Sequence, residues 1–131
     1  MFWTSCYAAI LGIIYIKLSF AVIKLRKKEN IDINSDKQDQ HLILKIRAHA
    51  NFNEYVPFAL ILIFLAENNG AGYLFIHLAG ASLLIGRSLH AYSLNKEPIK
   101  MLPRKLGMYL TFFSIICGSF ANLYILFLGS M

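Results

Sequence analysis

Cysteine is rare in this chain, acidic residues are few, and two kinds of segment carry no basic residue at all. The two cysteines, Cys6 and Cys117, lie in apolar runs with no CxxC pair and no metal-ligating companions. That excludes a disulfide framework and a thiolate metal centre, and leaves two small buried hydrophobes. No internal repeat and no low-complexity tract is present, which removes repeat arrays from consideration. The first apolar run, 2–23, has no basic segment before it and no small-residue cleavage signature, so it reads as a helix of the mature protein and not as a signal peptide. Neither extreme end contains a lysine or arginine, and neither does the segment 67–72.

What the chain has in quantity is hydrophobic residues, 57% of the total. At 131 residues it is too short for more than one compact unit, and it is too apolar for an ordinary soluble domain. One domain, 1–131, is expected. Four apolar stretches, 2–23, 50–66, 72–94 and 106–128, each approach the roughly 17–25 residues that a spanning helix needs. The expected fold is therefore all-α, an integral membrane four-helix up-down bundle.

The basic residues are unevenly placed. Of 13 Lys and Arg, seven lie between Lys24 and Arg47 and four between Lys96 and Lys105. Basic residues collect on the cytoplasmic side of a membrane protein. Both termini and the short middle connection are thus expected on the non-cytoplasmic side, and the two basic loops in the cytosol. Topology accounts for the net charge of +6, so no nucleic-acid partner is implied.

A linker is expected over 29–35. Ser35 followed by Gln38 resembles a capping box, and apolar periodicity begins at Leu42, Ile43 and Ile46. One long helix over 36–68 follows from this, with its first turns outside the hydrocarbon. Pro57 inside it removes a backbone donor and frees the carbonyl of Asn53, and a kink there would widen the mouth below Glu54. Asn68, Asn69 and Gly70 suit a tight turn. Ala79, Ser82 and Gly86 on the third helix, and Ser114, Gly118 and Ala121 on the fourth, are small enough for close helix contact. The connection 95–103, with two prolines, is short.

The most informative segment is 47–57. Arg47, Asn51 and Glu54 stand at i, i+4 and i+7 and share one helical face. Ionisable groups at membrane depth are costly and usually face a bundle interior or a wet cavity. Two readings stay open for Glu54. In one it forms an ion pair with Arg47, Arg87 or Lys17. In the other it receives the ammonium of a ligand whose polar or carboxylate groups Arg47 and Asn51 hold. Arg87 and His90 share a face near the cytosolic end of the third helix. Tyr92 falls on another face, and His49 and His77 carry no assignment. Arg104 opens the fourth helix beside Lys105. It serves either as a membrane-surface anchor or as a cation that lowers the pKa of a nearby thiol.

The pattern Arg47-Ala-x-x-Asn51-x-x-Glu54-Tyr55-x-Pro57 resembles the second-helix signature of the MAPEG superfamily, the membrane-associated proteins of eicosanoid and glutathione metabolism. Leu25-Arg26-Lys27-Lys28, Gly86-Arg87-x-x-His90 and Arg104-x-x-Gly107 fit the same likeness, which covers essentially the whole chain. The turn 67–71 is similar to that of short bacterial inner-membrane members. The resemblance implies a homotrimer, with glutathione as co-substrate bound between subunits near the cytosolic face. Arg47, Asn51, Glu54 and Tyr55 would bind it from one subunit, Arg87 and His90 would line the same pocket, and the neighbour would lend Lys24 or Arg26. Arg104 matches the arginine proposed to hold the thiolate in leukotriene-forming and prostaglandin-forming relatives, with altered loop spacing. Where those enzymes carry a glutathione-contacting tyrosine, this chain has Leu94.

Three functions compete on this basis. The first is a glutathione transferase or peroxidase acting on lipophilic electrophiles that enter from the bilayer. The second is a non-catalytic lipid- or glutathione-binding protein of the same superfamily. The third is a small proton-coupled exporter, against which stands the position of Glu54 amid Arg47 and Asn51 near a helix mouth.

Overall fold

The computed structural model describes residues 2–29, 40–94 and 100–129. They form four helices, α1 (Phe2–Lys28), α2 (Gln40–Asn68), α3 (Tyr73–Leu94) and α4 (Met101–Gly129). All four are long and apolar enough to cross a membrane. The expected linker, the capping box at Ser35 and Gln38, and the helix start at residue 36 lie outside the described residues. α1 runs on through the basic cluster to Lys28, where the linker is expected to begin. One boundary differs from expectation: α4 begins at Met101, before Pro103 and Arg104. Pro103 sits in the first turn of α4, where a missing N–H costs nothing because that donor has no intrahelical partner.

Consecutive helices run antiparallel. α2 and α3 are joined by a turn in which Gly70 takes φ 85°, a left-handed conformation that glycine adopts without a Cβ clash. The Ala71 N–H donates to the Ala66 carbonyl at 2.9 Å and the Gly70 N–H to the Glu67 carbonyl at 3.2 Å. This pair of bonds is a Schellman motif, and it uses carbonyls that the helix end would otherwise leave orphaned.

α2 and α3 touch each other and each touches both remaining helices, whereas α1 and α4 do not meet. The bundle is therefore a central α2–α3 pair flanked by α1 and α4. Leu11, Phe52, Val56, Ala59, Ile63, Ile76, Ala79 and Leu83 fill its centre. Large hydrophobics such as Phe20, Ile61, Ile116 and Phe127 point outward. A helix that is apolar on its outer face as well as its inner one belongs in lipid. Cys117 is buried, but Cys6 is exposed, contrary to the expectation that both are core residues. The core stripe of α1 runs through Thr4, Leu11 and Leu18, and position 6 falls on the opposite side of a helix with 3.6 residues per turn.

Lipid tails offer no hydrophobic drive for helix association, so close backbone approach and polar staples take over. α3 and α4 cross at Gly86 and Gly107. A Cβ built on Gly107 would lie 2.6 Å from the Gly86 carbonyl oxygen, and one on Gly86 would lie 2.8 Å from that of Gly107. Further along α4, Gly118 packs on Leu62 of α2. There the Asn122 amide donates to the carbonyls of Leu62 and Gly118, both at 2.8 Å. At the end bearing the α2–α3 turn, the Glu67 carboxylate accepts the backbone N–H groups of Trp3 at 3.0 Å and Thr4 at 2.9 Å. It thereby caps α1, where free donors and the helix dipole favour an anion.

Candidate functional site

Among the described residues, most basic groups gather at the end of the bundle opposite the α2–α3 turn: on the last turn of α1, the first half of α2, the second half of α3 (Arg87 and His90) and the first turns of α4. Within this basic end the sequence-derived residues fall into three groups.

Arg87 heads the first. Its side chain is 1% exposed and ties three helices together. Nη1 donates to the Asn51 carbonyl of α2 at 3.1 Å, and Nη2 approaches the Met108 sulfur of α4 at 3.6 Å. The guanidinium lies 5.5 Å from the centroid of the Tyr55 ring, and Tyr55 meets Phe112 of α4 edge-on at 5.8 Å. A buried cation needs its donors used and a polarisable neighbour. The carbonyl, the sulfur and the ring supply both. Arg87 makes no ion pair with Glu54, so the pairing left open by the sequence is not formed within the subunit.

The second group faces away from the bundle's own core. Arg47 and Glu54 are exposed, and Asn51 is half-buried between them and Arg87. The Asn51 amide donates to the Arg47 carbonyl at 3.0 Å, which orients it along α2. Neither the Arg47 guanidinium nor the Glu54 carboxylate has a hydrogen bond or ion pair among the described residues. With Phe58, Ile61 and Leu65 they make a continuous outward stripe on α2, polar near the basic end and apolar beyond.

The third group sits at the start of α4. His90 is buried one turn beyond Arg87, with Arg87 and Arg104 as its charged neighbours. Its backbone N–H and Cβ press on Gly107, which explains why only glycine fits at that place. Arg104 is half-buried and Arg26, on the last turn of α1, equally so. Leu94 is 2% exposed and belongs to the core. Tyr92 lies apart, exposed, with the Lys100 ammonium 5.8 Å from its ring centroid.

Two histidines without a sequence assignment have partners on α1. His49 Nε2 lies 3.0 Å from Ser19 Oγ, with Tyr15 against the ring. His77 Nδ1 lies 3.0 Å from the Tyr7 hydroxyl, with Trp3 edge-on at 4.6 Å. Sequence reasoning also passed over Met108 and Phe112, which wall Arg87 and Tyr55. Neither differs in type from its lipid-facing neighbours, so only the contacts of α4 with α3 and α2 reveal them. A groove of about 240 Å³ opens between α1 and α2, lined by Gly12, Tyr15, Asn53 and Pro57 among others.

The arrangement is thus an integral membrane four-helix bundle with a face of exposed charge at its basic end. Four guanidinium groups, of Arg26, Arg47, Arg87 and Arg104, share that end, and among the described residues Glu54 is the one carboxylate within the helices there. The chain belongs to the MAPEG family, whose model matches residues 4–124. It is 31% identical over 121 residues to inner membrane protein YecN of Escherichia coli strain K12, covering 92% of this chain and 90% of that one. The same values hold for the inner membrane protein YecN of Escherichia coli O6:H1 strain CFT073.

Proposed function

We propose that the protein is a glutathione-dependent transferase or peroxidase of the inner membrane, acting on lipophilic electrophiles, with glutathione held at the basic end between the subunits of a homotrimer. One observation carries this reading. Arg47 at the mouth of the span and Glu54 within it project from α2 with no hydrogen bond or ion pair among the described residues, next to an Asn51–Arg87–Tyr55 cluster that is already satisfied. Charges so placed need a ligand or a neighbouring subunit. Glutathione offers one ammonium and two carboxylates, which complement one carboxylate and a set of guanidinium groups.

Within this reading Glu54 takes the ligand's ammonium and Arg47 a carboxylate. Asn51 and Tyr55 shape the wall that Arg87 locks, and His90 sits behind it. Arg26 comes from the adjacent subunit. Arg104 favours the ionised sulfur, since a guanidinium near a thiol stabilises only the thiolate. A thiolate held beside an electrophile delivered laterally from lipid reacts by proximity, forming the carbon–sulfur bond as the electrophile's leaving group or π-bond takes the electron pair. Leu94, which stands where the leukotriene-forming and prostaglandin-forming enzymes carry a glutathione-contacting tyrosine, favours a second reading, a non-catalytic binder of glutathione or lipid, because a buried leucine offers a ligand no hydroxyl.

Glutathione titrated into detergent-purified protein, followed by calorimetry and by the ultraviolet absorbance of bound thiolate, tests both. Glu54→Gln is expected to weaken binding far more than Lys17→Met, because losing one partner of a desolvated charge pair costs about 2–5 kcal/mol. Equal affinity for wild type and Glu54→Gln rejects the site. Tight binding with neither thiolate signal nor turnover selects the binder.

A further inference from the structure

The charged residues of α1 are Lys17, Lys24, Arg26, Lys27 and Lys28, and none of them is acidic. Because α1 stays helical through the cluster 24–28, its basic side chains are sorted by face and not pooled in a loop. Lys17, Lys24 and Lys28 stand at i, i+7 and i+11, so they fall on one line along the helix. All three are exposed. Toward the other end of the helix the line continues through the exposed Ile10 and Ile13, with the exposed Phe20 beside it. The buried Thr4, Leu11 and Leu18 lie about a third of a turn around the helix. Arg26, the residue proposed above to reach a neighbour's pocket, stands half a turn from the stripe and is half-buried.

The stripe lacks counter-ions. Among the described residues Lys17 and Lys24 make no hydrogen bond or ion pair. Lys28 meets only the next residue, Glu29, at 3.5 Å, and its side chain is 75% exposed, a pairing of little energetic weight. Lys17 lies seven residues deeper than Lys24, about 10 Å, inside the apolar run. A lysine at that depth is costly and extends its stem toward the interface. Side chains on a helix lean toward its N-terminus, which for α1 is the end capped by Glu67. Lys24 therefore leans down the stripe while the stem of Lys17 reaches up it. The two ammonium groups converge at the base of the headgroup layer.

We propose that this stripe is a site for an anionic phospholipid of the leaflet at the basic end: Lys17 and Lys24 hold the headgroup phosphate, Lys28 adds charge above it, and the acyl chains lie along Ile10, Ile13 and Phe20. Lysines and arginines at the cytoplasmic end of a spanning helix attract anionic lipid. Here the cations and the apolar row share one face, in the order in which a phospholipid presents phosphate and chains. A soluble anion would use the cations alone. The inference does not depend on glutathione, and it leaves Lys17 outside the Glu54 site.

Delipidated full-length protein in mild detergent, titrated with phosphatidylglycerol or with phosphatidylcholine of the same chains and read by native mass spectrometry, provides the test. Wild type is expected to bind phosphatidylglycerol the more tightly. Lys17→Met with Lys24→Met should lower that affinity about 30-fold at low salt and leave phosphatidylcholine binding unchanged. Lys100→Met with Lys105→Met removes the same charge away from the stripe and should keep the preference. Glycerol 3-phosphate, which carries the anion without the chains, should not displace the lipid. Equal binding of the two lipids by wild type overturns the proposal, and that comparison stands whether or not a variant folds. An equal loss in the Lys100 and Lys105 variant also overturns it, in favour of diffuse charge attraction. Displacement by glycerol 3-phosphate overturns it in favour of a soluble-anion site.

Discussion

At the scale of single residues, position relative to the core separates two kinds of arginine that look alike in sequence. Arg87 is enclosed and bonded to the Asn51 carbonyl and the Met108 sulfur, so it holds the pocket wall in place. Arg104 is half-buried at the start of α4 with His90 beside it, and its guanidinium remains available. A group of the second kind can act on a bound sulfur without being part of the scaffold. Arg104→Ser is therefore expected to leave glutathione binding nearly intact and to raise the pKa of the bound thiol, because a nearby cation favours only the ionised form. Turnover with a model electrophile should fall at neutral pH and partly recover at alkaline pH, where solvent hydroxide deprotonates the thiol instead. A pH–rate profile unchanged from wild type would move the activating role to Arg87 or to Arg26 of a neighbour.

The elements are held by contacts of different kinds. α1 is tied by Glu67 at one end and by the Ser19–His49 contact nearer the other, whereas α3 and α4 are pressed together at Gly86 and Gly107. Gly107→Ala is expected to lower thermal stability in detergent, by about 1–3 kcal/mol for an overpacked contact, since the added methyl meets backbone that cannot rotate away. Gly12→Ala, where nothing lies within 4 Å of the new carbon, should change stability by no more than about 0.5 kcal/mol. Equal melting temperatures for the two variants would remove the crossing as a determinant of the fold. These contacts also mark what the sequence discloses. The four spans were legible because apolar length alone defines them, and Gly86 and Gly118 stood out because small residues in apolar helices mark close approach, whereas the crossing partner Gly107 is disclosed only by the contact itself. The grouping of the site was only half legible. Helical spacing places Arg47 and Glu54 on one face, but it cannot say whether that face turns toward the core. In a bundle apolar all round, the usual signal of an amphipathic stripe is missing. Cys6 was misjudged for the same reason, and His77 carried no assignment because its partners Tyr7 and Trp3 lie on a distant part of the chain.

For the whole molecule, the decisive feature is that the polar face of α2 lies outside the subunit's own core. A membrane protein cannot leave Arg47 and Glu54 against hydrocarbon cheaply, so the outward stripe from Arg47 through Glu54 to Leu65 calls for subunits packed around it, with the apolar part adding close contact where the charges end. Native mass spectrometry from mild detergent is expected to show a trimer, and a monomer would leave those charges without a home. The distribution of basic residues sets the orientation of that assembly. The segments flanking α1–α2 and α3–α4 are basic and the 67–72 turn is not, so the turn and both termini are expected on the non-cytoplasmic side. In a background lacking Cys6 and Cys117, a cysteine replacing Gly70 should react with an impermeant thiol reagent added to the periplasmic side of intact cells. A cysteine replacing Asn30 should react only after the membrane is opened. Equal labelling of the two positions from one side rejects the topology and places the Arg47–Glu54 face away from the cytosol, where the reduced glutathione that the proposed reaction consumes is kept.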